Sequence, residues 1–146
     1  MTFVLDASVA LLWFVPQTNP KGVEYAQATL MALKQGQAVV PSLCALEIAN
    51  AITKLEAKGN VEEVESQRFV ALFAGLNIET DLTTGVQALG DILQLARRFK
   101  LSAYDAAYLE LSLRTGLPLS TLDDELATAA AKAGVAIFVS SDSKKT

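Results

Sequence analysis

Four acidic side chains stand where carboxylates could act together on one substrate. They are Asp6, Glu47, Asp105 and Asp123, and a fifth acid, Asp124, follows the last of them directly. Carboxylates that converge raise one another's pKa values unless a cation neutralises them, and hard oxygen ligands select Mg²⁺ or Mn²⁺. A cation held in this way suits phosphodiester hydrolysis, because it lowers the pKa of a bound water and neutralises phosphate oxygens.

The composition removes most competing chemistries. The 146 residues include no histidine and one cysteine, Cys44, and the formal charge is −4. Without imidazole there is no Ser-His-Asp or Cys-His nucleophile and no histidine general base. A single cysteine excludes an intramolecular disulfide, an iron–sulfur cluster and a Cys-rich zinc site, which is typical of a reducing compartment. We therefore expect a cytoplasmic protein whose chemistry depends on carboxylates, hydroxyls or amines.

Three small polar side chains accompany the acids. Glu47 falls among the apolar positions of a predicted helix, and a carboxylate there is costly unless it is paired or simply exposed. Asn50, at i+3, shares its face. Ser8 and Thr121 lie close in sequence to the first and last acids. These three side chains are predicted to support the site by orienting ligands or bound waters, although local backbone hydrogen bonds would also explain the hydroxyls.

The other acids have an alternative interpretation as helix caps. Asp6 is a good N-cap for the helix that follows it, and Asp105 comes three residues after Ser102, as in a capping box. Asp123 and Asp124 suit a helix N-terminus, where the macrodipole stabilises anions. Capping does not exclude metal binding, because one carboxylate oxygen can accept a backbone hydrogen bond while the other faces a cation.

Short apolar strands alternate with helices along the chain. The strands are predicted at Thr2–Leu5 and at residues 38–40, 76–79, 117–120 and 135–139. This alternation predicts an α/β domain with a mainly parallel sheet of about five strands, covered on both faces. Ligands of such sheets bind at the carboxyl ends of the strands, so Asp6 and Asp123 are expected at one edge.

Helices are expected directly after Asp6 and at residues 20–36, 41–59, 60–75, 84–99, 102–115 and 123–132. Asn60 with Glu63, and Thr84 with Gln87, are predicted as N-terminal capping pairs.

The length suits one domain, over residues 1–139, followed by a polar tail at residues 140–146 that is expected to fray. No membrane anchor is expected. The longest apolar run, residues 9–15, is ended by Pro16 and is far shorter than the roughly 20 residues that span a bilayer. Asp6 occupies the place of the basic region of a signal peptide.

Four sequence blocks resemble the motifs of a known family. In chain order they are VLDASV at residues 4–9, ALEIAN at 45–50, LSAYDAAYLEL at 101–111 and GLPLSTLD at 116–123. Together they resemble the motif blocks of PIN-domain ribonucleases, and most of all the VapC-like toxins of prokaryotic toxin–antitoxin modules. The resemblance spans nearly the whole chain, and it implies a three-layer α/β/α fold.

By this resemblance, Asp6, Glu47, Asp105 and Asp123 take the places of the family's acidic quartet, which holds one or two Mg²⁺ or Mn²⁺ ions. Water held by the metal would attack the RNA phosphodiester and leave a 5′-phosphate and a 3′-hydroxyl. The family also implies a homodimer and a small VapB-like antitoxin that blocks the site. Asp124 departs from the pattern, because a second acid leaves open which of the pair is the ligand, although the Thr-Leu-Asp order favours Asp123.

Cationic and aromatic residues are the candidates for contacts to RNA, and each group also has a structural interpretation. The acidic balance is unlike the basic footprint of most nucleic-acid enzymes. Five cations, at Lys54, Lys58, Arg97, Arg98 and Lys100, are candidates for phosphate contacts or for an ordinary solvated surface. Four aromatic residues could stack on bases, form a dimer interface or pack in the core: Trp13, Phe14, Tyr104 and Tyr108.

Three other classes of protein share part of this sequence pattern. A catalytically inactive PIN-like binding module would keep the fold and lose the activity. A phosphoacceptor signalling domain also binds Mg²⁺ on an α/β fold, but it should show paired acids after the first strand and a lysine after a later one. A phosphatase with an aspartate nucleophile needs Asp-x-Asp, whereas Asp6 is followed at that spacing by Ser8. The metal-dependent endoribonuclease is therefore the favoured interpretation.

Overall fold

A computed structural model describes residues 1–140 of the chain. Its sheet has four strands, all parallel, in the order β3-β2-β1-β4. Their bounds are β1 Thr2–Leu5, β2 Gln37–Pro41, β3 Ile78–Asp81 and β4 Leu119–Ser120. In register, Val4 of β1 lies opposite Val39 of β2 and Leu119 of β4.

Helices connect and cover these strands. They are α1 Ala7–Ala10, α2 Val23–Ala32, α3 Cys44–Ala57, α4 Glu63–Ala74, α5 Thr84–Gln87, α6 Leu93–Phe99, α7 Ala103–Thr115 and α8 Asp124–Ala133. Three 3₁₀ turns, Leu11–Trp13, Pro16–Thr18 and Pro20–Gly22, lie between α1 and α2, and a π-helical segment, Ala88–Ile92, joins α5 to α6.

The core is centred on β1 and α7. Phe3, Val4 and Leu5 are completely buried, as expected of a parallel strand covered on both faces. Helix α7 packs on β1 and β2 and is buried continuously from Ala106 to Ser112. It begins at the Ser102 cap, whose hydroxyl accepts the Asp105 N–H, and it ends at Gly116, whose φ of 73° is available to glycine at little cost.

The predicted α/β fold with a parallel sheet is confirmed, with four strands where about five were expected. The segment at residues 135–139 meets the sheet through a single parallel bridge between Leu119 and Ile137. Because β4 has only two residues, a partner at that edge has almost no length of strand to pair with.

Two predicted capping pairs are wrong. Helix α4 is capped by Glu62 and Glu65, which form a reciprocal capping box, and not by Asn60 with Glu63. The Thr84 hydroxyl accepts the Ser42 N–H at 3.0 Å and bonds to Asp81, so it does not form a box with Gln87.

Two helices differ from their predicted extent. The segment at residues 20–36 starts as a 3₁₀ turn, and its α-helix ends at Ala32. The helix expected over residues 84–99 is broken at Gly90, whose φ of −109° and ψ of −105° are not helical. Glycine tolerates this backbone because it has no Cβ.

The described part of the chain ends at Ser140. Ser140, the first residue of the predicted tail, is buried, and residues 141–146 lie outside the described part of the chain. Within residues 1–140, the helices are all too short or too polar to cross a membrane.

Candidate active site

The candidate acids come from four elements that meet at the carboxyl ends of β1 and β4. These strands are adjacent and parallel, so the chain leaves both at the same edge. The Asp6 N–H donates to the Ser120 carbonyl at 2.9 Å, which places Asp6 beside the start of the segment that carries Asp123. Glu47 comes from the first turn of α3, and Asp105 comes from the first turn of α7.

Asp6 is held by hydroxyl groups rather than used as a helix cap. It is only 4% exposed, and its side chain makes no capping bond to α1. The Ser8 and Thr121 hydroxyls both donate to its Oδ2, at 2.6 and 2.7 Å. Among the described residues, its Oδ1 accepts no hydrogen bond, so this oxygen is available to a further partner.

The pKa of Asp6 is raised from 3.8 to about 6. The main cause is burial, which disfavours the charged carboxylate. The two hydroxyl hydrogen bonds oppose this shift, and the negative charges of Glu47 and Asp123 add to it.

Glu47 is half-buried and is oriented by a tyrosine on another helix. The Tyr108 hydroxyl donates to Glu47 Oε1 at 2.6 Å. Burial raises the pKa of Glu47, the hydrogen bond from Tyr108 lowers it, and the negative charge of Asp105 raises it further. Asn50 is exposed, and it lines the same surface cleft as Glu47, as their shared helix face predicts.

Asp105 is half-buried at the start of α7. Its backbone N–H bonds to the Ser102 hydroxyl at 3.1 Å, so Ser102 caps the helix and the Asp105 carboxylate does not. Burial is the main cause that raises its pKa from 3.8 to about 6, followed by the negative charges of Asp123 and Asp6. The side-chain hydrogen bond from Ser102 acts in the opposite direction.

Asp123 and Asp124 lie in different surroundings. Asp123 is the N-cap of α8, and its Oδ1 accepts the Leu126 N–H at 2.9 Å, which confirms the capping interpretation for this residue. Its charge also raises the pKa values of Asp6 and Asp105. Asp124 is exposed and lines a cleft with Arg98, Lys100 and Lys132. The geometry thus associates Asp123 with the other acids and places Asp124 outside them.

The four carboxylates form one electrostatic cluster, and no cation of residues 1–140 contributes to the pKa shifts within it. The charges of Glu47 and Asp123 raise the pKa of Asp6, and the charges of Asp123 and Asp6 raise the pKa of Asp105. The charge of Asp105 raises the pKa of Glu47. A donor set made only of carboxylate and hydroxyl oxygens suits Mg²⁺ or Mn²⁺ and does not suit zinc. As the side chains stand, however, no group of three or more Asp, Glu, Cys or His residues within residues 1–140 is arranged to hold a metal ion.

The aromatic candidates divide between core and surface. The Trp13 indole donates to the Ala26 carbonyl at 2.8 Å, and Phe14 stacks on Phe69 with 4.8 Å between the ring centres. Tyr108 is completely buried, whereas Tyr104 is 63% exposed beside Glu47. Core packing therefore holds for three of these residues and not for Tyr104.

The contact between Tyr108 and Glu47 is the part of this site that sequence reasoning missed. The available signal was the spacing of Asp105 and Tyr108, because i and i+3 lie on one face of a helix.

Comparisons with known proteins agree with this architecture. The PIN domain family model matches residues 3–132. Ribonuclease VapC3 from Pyrobaculum aerophilum is 29% identical over 131 residues, which cover 87% of this chain and 93% of that protein.

Two crystal structures share the fold. One is PAE2754 from Pyrobaculum aerophilum, with a TM-score of 0.60 and 20% identity, covering 88% of this chain and 87% of that one. The other is FitAcB from Neisseria gonorrhoeae, with a TM-score of 0.58 and 22% identity, covering 95% of this chain and 97% of that one. Since the family model covers most of the chain, this protein belongs to the PIN domain family.

Proposed function

We propose that this protein is a metal-dependent endoribonuclease that hydrolyses RNA phosphodiester bonds. The ligands of one or two Mg²⁺ or Mn²⁺ ions would be Asp6, Glu47, Asp105 and Asp123. The observation that carries the proposal is the cluster of four carboxylates at one sheet edge, where burial and the charges of neighbouring acids raise the pKa values of Asp6, Glu47 and Asp105. Such a cluster costs stability unless a cation joins it, so it favours a role in binding one.

The chain's own residues prepare this cluster in different ways. Ser8 and Thr121 fix one oxygen of Asp6, Tyr108 fixes one oxygen of Glu47, and α8 fixes one oxygen of Asp123. Each fixed carboxylate keeps its second oxygen for a cation. A bound divalent cation would supply charge neutralisation at the scissile phosphate and a water of lowered pKa. Asn50, which lines the cleft of Glu47, would act as a supporting group around it, whereas Asp124 would support the site only from outside the cluster.

The biological role extends this proposal. The relative from Pyrobaculum aerophilum is named a VapC ribonuclease, and this chain covers nearly all of that protein. We propose that the present chain is likewise the toxin of a toxin–antitoxin module, with a VapB-like antitoxin as its inhibitor. We further propose that it acts as a homodimer in the cytoplasm.

The test is cleavage of total cellular RNA by purified, antitoxin-free protein with Mg²⁺ or Mn²⁺. We expect discrete cuts that leave 5′-phosphate ends, that EDTA abolishes, and that Asp6→Asn removes. The matched control is Asp91→Asn, which neutralises an exposed aspartate outside the cluster and should cut as the wild type does. RNA binding without cleavage, at any metal concentration, would instead favour the inactive binding module.

A further inference from the structure

Tyr108 is completely buried, and its hydroxyl points to one of the candidate ligands. The hydroxyl lies 2.6 Å from Glu47 Oε1. Among the described residues, the buried Cys44 thiol also interacts with this hydroxyl, and the charge of Asp6 acts on it without a hydrogen bond. A tyrosine hydroxyl has one proton to donate, and a carboxylate is a far better acceptor than a thiol. The proton is therefore committed to Glu47.

Glu47 needs this contact to keep one position. It is half-buried on α3, and the residue before it, Leu46, is 73% exposed. A free glutamate side chain samples many rotamers, and fixing it costs conformational entropy. The Tyr108 bond holds Oε1 and leaves Oε2 without a hydrogen-bond partner among residues 1–140. The carboxylate is thus oriented through Oε1 and keeps Oε2 for a cation.

Helix α7 also carries Asp105, one turn before Tyr108. Residues at i and i+3 share a helix face, so the same face presents one acid directly and orients a second through the tyrosine. The buried half of α7 packs on β1 and β2, which fixes both positions relative to Asp6.

We propose that Tyr108 is a positioning residue of this site: it sets the orientation of Glu47 toward the cation and does not touch RNA. This inference rests on the proposed function, because it requires Glu47 to be a metal ligand. Groups that orient metal ligands typically contribute 10- to 100-fold in metal affinity or activity when they are removed.

The test is Tyr108→Phe, which keeps the ring and removes only the hydroxyl. Titration with Mn²⁺, followed by electron paramagnetic resonance, should show a loss of affinity of about tenfold or more. For RNA, kcat should fall while KM stays unchanged, because a buried side chain makes no contact with substrate. In a Glu47→Gln background the same substitution should cause no further loss of Mn²⁺ affinity, since the two residues act through one contact.

Tyr25→Phe is the matched control. It also removes a tyrosine hydroxyl that forms a hydrogen bond inside the protein, at 2.7 Å to the Phe138 carbonyl. This hydroxyl also interacts with Ser120 and the Thr121 backbone, and it has no described hydrogen bond to any of the four acids. Its thermal stability should fall by a similar amount while its Mn²⁺ affinity stays at the wild-type value. If Tyr108→Phe does not fold, Glu47→Asp is the second test: a side chain shorter by one methylene withdraws the carboxylate from the hydroxyl, so an unchanged Mn²⁺ affinity would show that the contact is not needed. Glu47→Asp should lower Mn²⁺ affinity by a comparable factor.

The outcomes separate this inference from the proposed function. Wild-type protein that binds Mn²⁺ and cuts RNA, together with a folded Tyr108→Phe or a Glu47→Asp variant that binds Mn²⁺ equally well, would overturn the positioning role alone. Wild-type protein that neither binds Mn²⁺ nor cuts RNA would overturn both proposals.

Discussion

Two groups of acids at the carboxyl-terminal edge of the sheet have pKa values shifted in opposite directions. At the end of β3, Asp81 meets the Arg114 guanidinium through two hydrogen bonds, of 2.7 and 3.3 Å, and Arg114 also bonds to the buried Glu110. The guanidinium lowers the pKa of Asp81. At the ends of β1 and β4, the pKa values of Asp6 and Asp105 are raised instead, because burial and like charges act there and no cation of the described residues opposes them.

This difference indicates what each cluster is for. Asp81, Glu110 and Arg114 satisfy one another and tie the edge of the sheet to α7, which is a structural task. The other cluster carries an electrostatic cost that hydroxyl hydrogen bonds relieve in part and that no cation within residues 1–140 neutralises. Uncompensated charge at a defined position is typical of functional sites. The two groups therefore offer an internal comparison: neutralising an acid should harm function in one and stability in the other.

The largest effect is expected from Asp105→Asn. It should reduce RNA cleavage by more than about 100-fold, because a direct ligand should matter more than the outer groups that typically contribute 10- to 100-fold. The variant should be as stable as the wild type or more so, since it removes one of several repelling charges. Cleavage rates with Mg²⁺, combined with urea unfolding, measure both quantities. A variant that cuts RNA at the wild-type rate would remove Asp105 from the site.

Arg114→Met should give the reverse pattern. It leaves Asp81 and the buried Glu110 without their cation, and we expect a loss of about 2 kcal/mol in the free energy of unfolding, below the buried-pair range because Arg114 is partly exposed. Adding Glu110→Gln should recover part of the loss. Cleavage per folded molecule should be unchanged, and a large fall in cleavage under folding conditions would show that the two clusters are not independent.

The pH dependence of stability should also separate the clusters. A carboxyl whose folded pKa is raised from 3.8 to about 6 binds its proton more tightly when folded, so it stabilises the metal-free protein as the pH falls from 7 towards 4. For the buried Asp6 this gain is on the order of 2 kcal/mol after allowance for relaxation. Asp81 acts with the opposite sign, because its stabilisation is lost as the pH falls through its lowered pKa.

Urea unfolding in EDTA between pH 7 and pH 5 measures the first of these effects. The free energy of unfolding should rise as the pH falls, and the rise should be smaller in Asp6→Asn. A wild-type stability that falls over this interval would contradict the raised pKa values.

The comparison also shows what the sequence can predict. Asp6 and Asp123 are predicted at one edge because they lie one and three residues after recognisable strands, and the start of α7 at Ser102 follows from local cap chemistry. The Tyr108–Glu47 bond joins residues 61 positions apart, and the Arg114–Asp81 bonds join residues 33 apart. Such pairings depend on how α7 packs against the sheet, which no local pattern encodes. The break at Gly90 is similar, since glycine permits that backbone without requiring it.

The smallest effect on cleavage is expected from Asp124→Asn, and its comparison with Asp123→Asn distinguishes the two adjacent acids. Asparagine caps helices as well as aspartate does, so Asp123→Asn should keep the α8 cap and remove only the charge. We expect it to lose most of the RNA cleavage without losing stability. Asp124→Asn should leave cleavage close to the wild-type rate, because the Asp124 side chain is exposed and lies outside the cluster of four acids. Parallel cleavage assays of the two variants show which acid is the metal ligand. A larger loss in Asp124→Asn would mean that the exposed acid turns inward when the cation binds, so that Asp124 and not Asp123 would be the ligand.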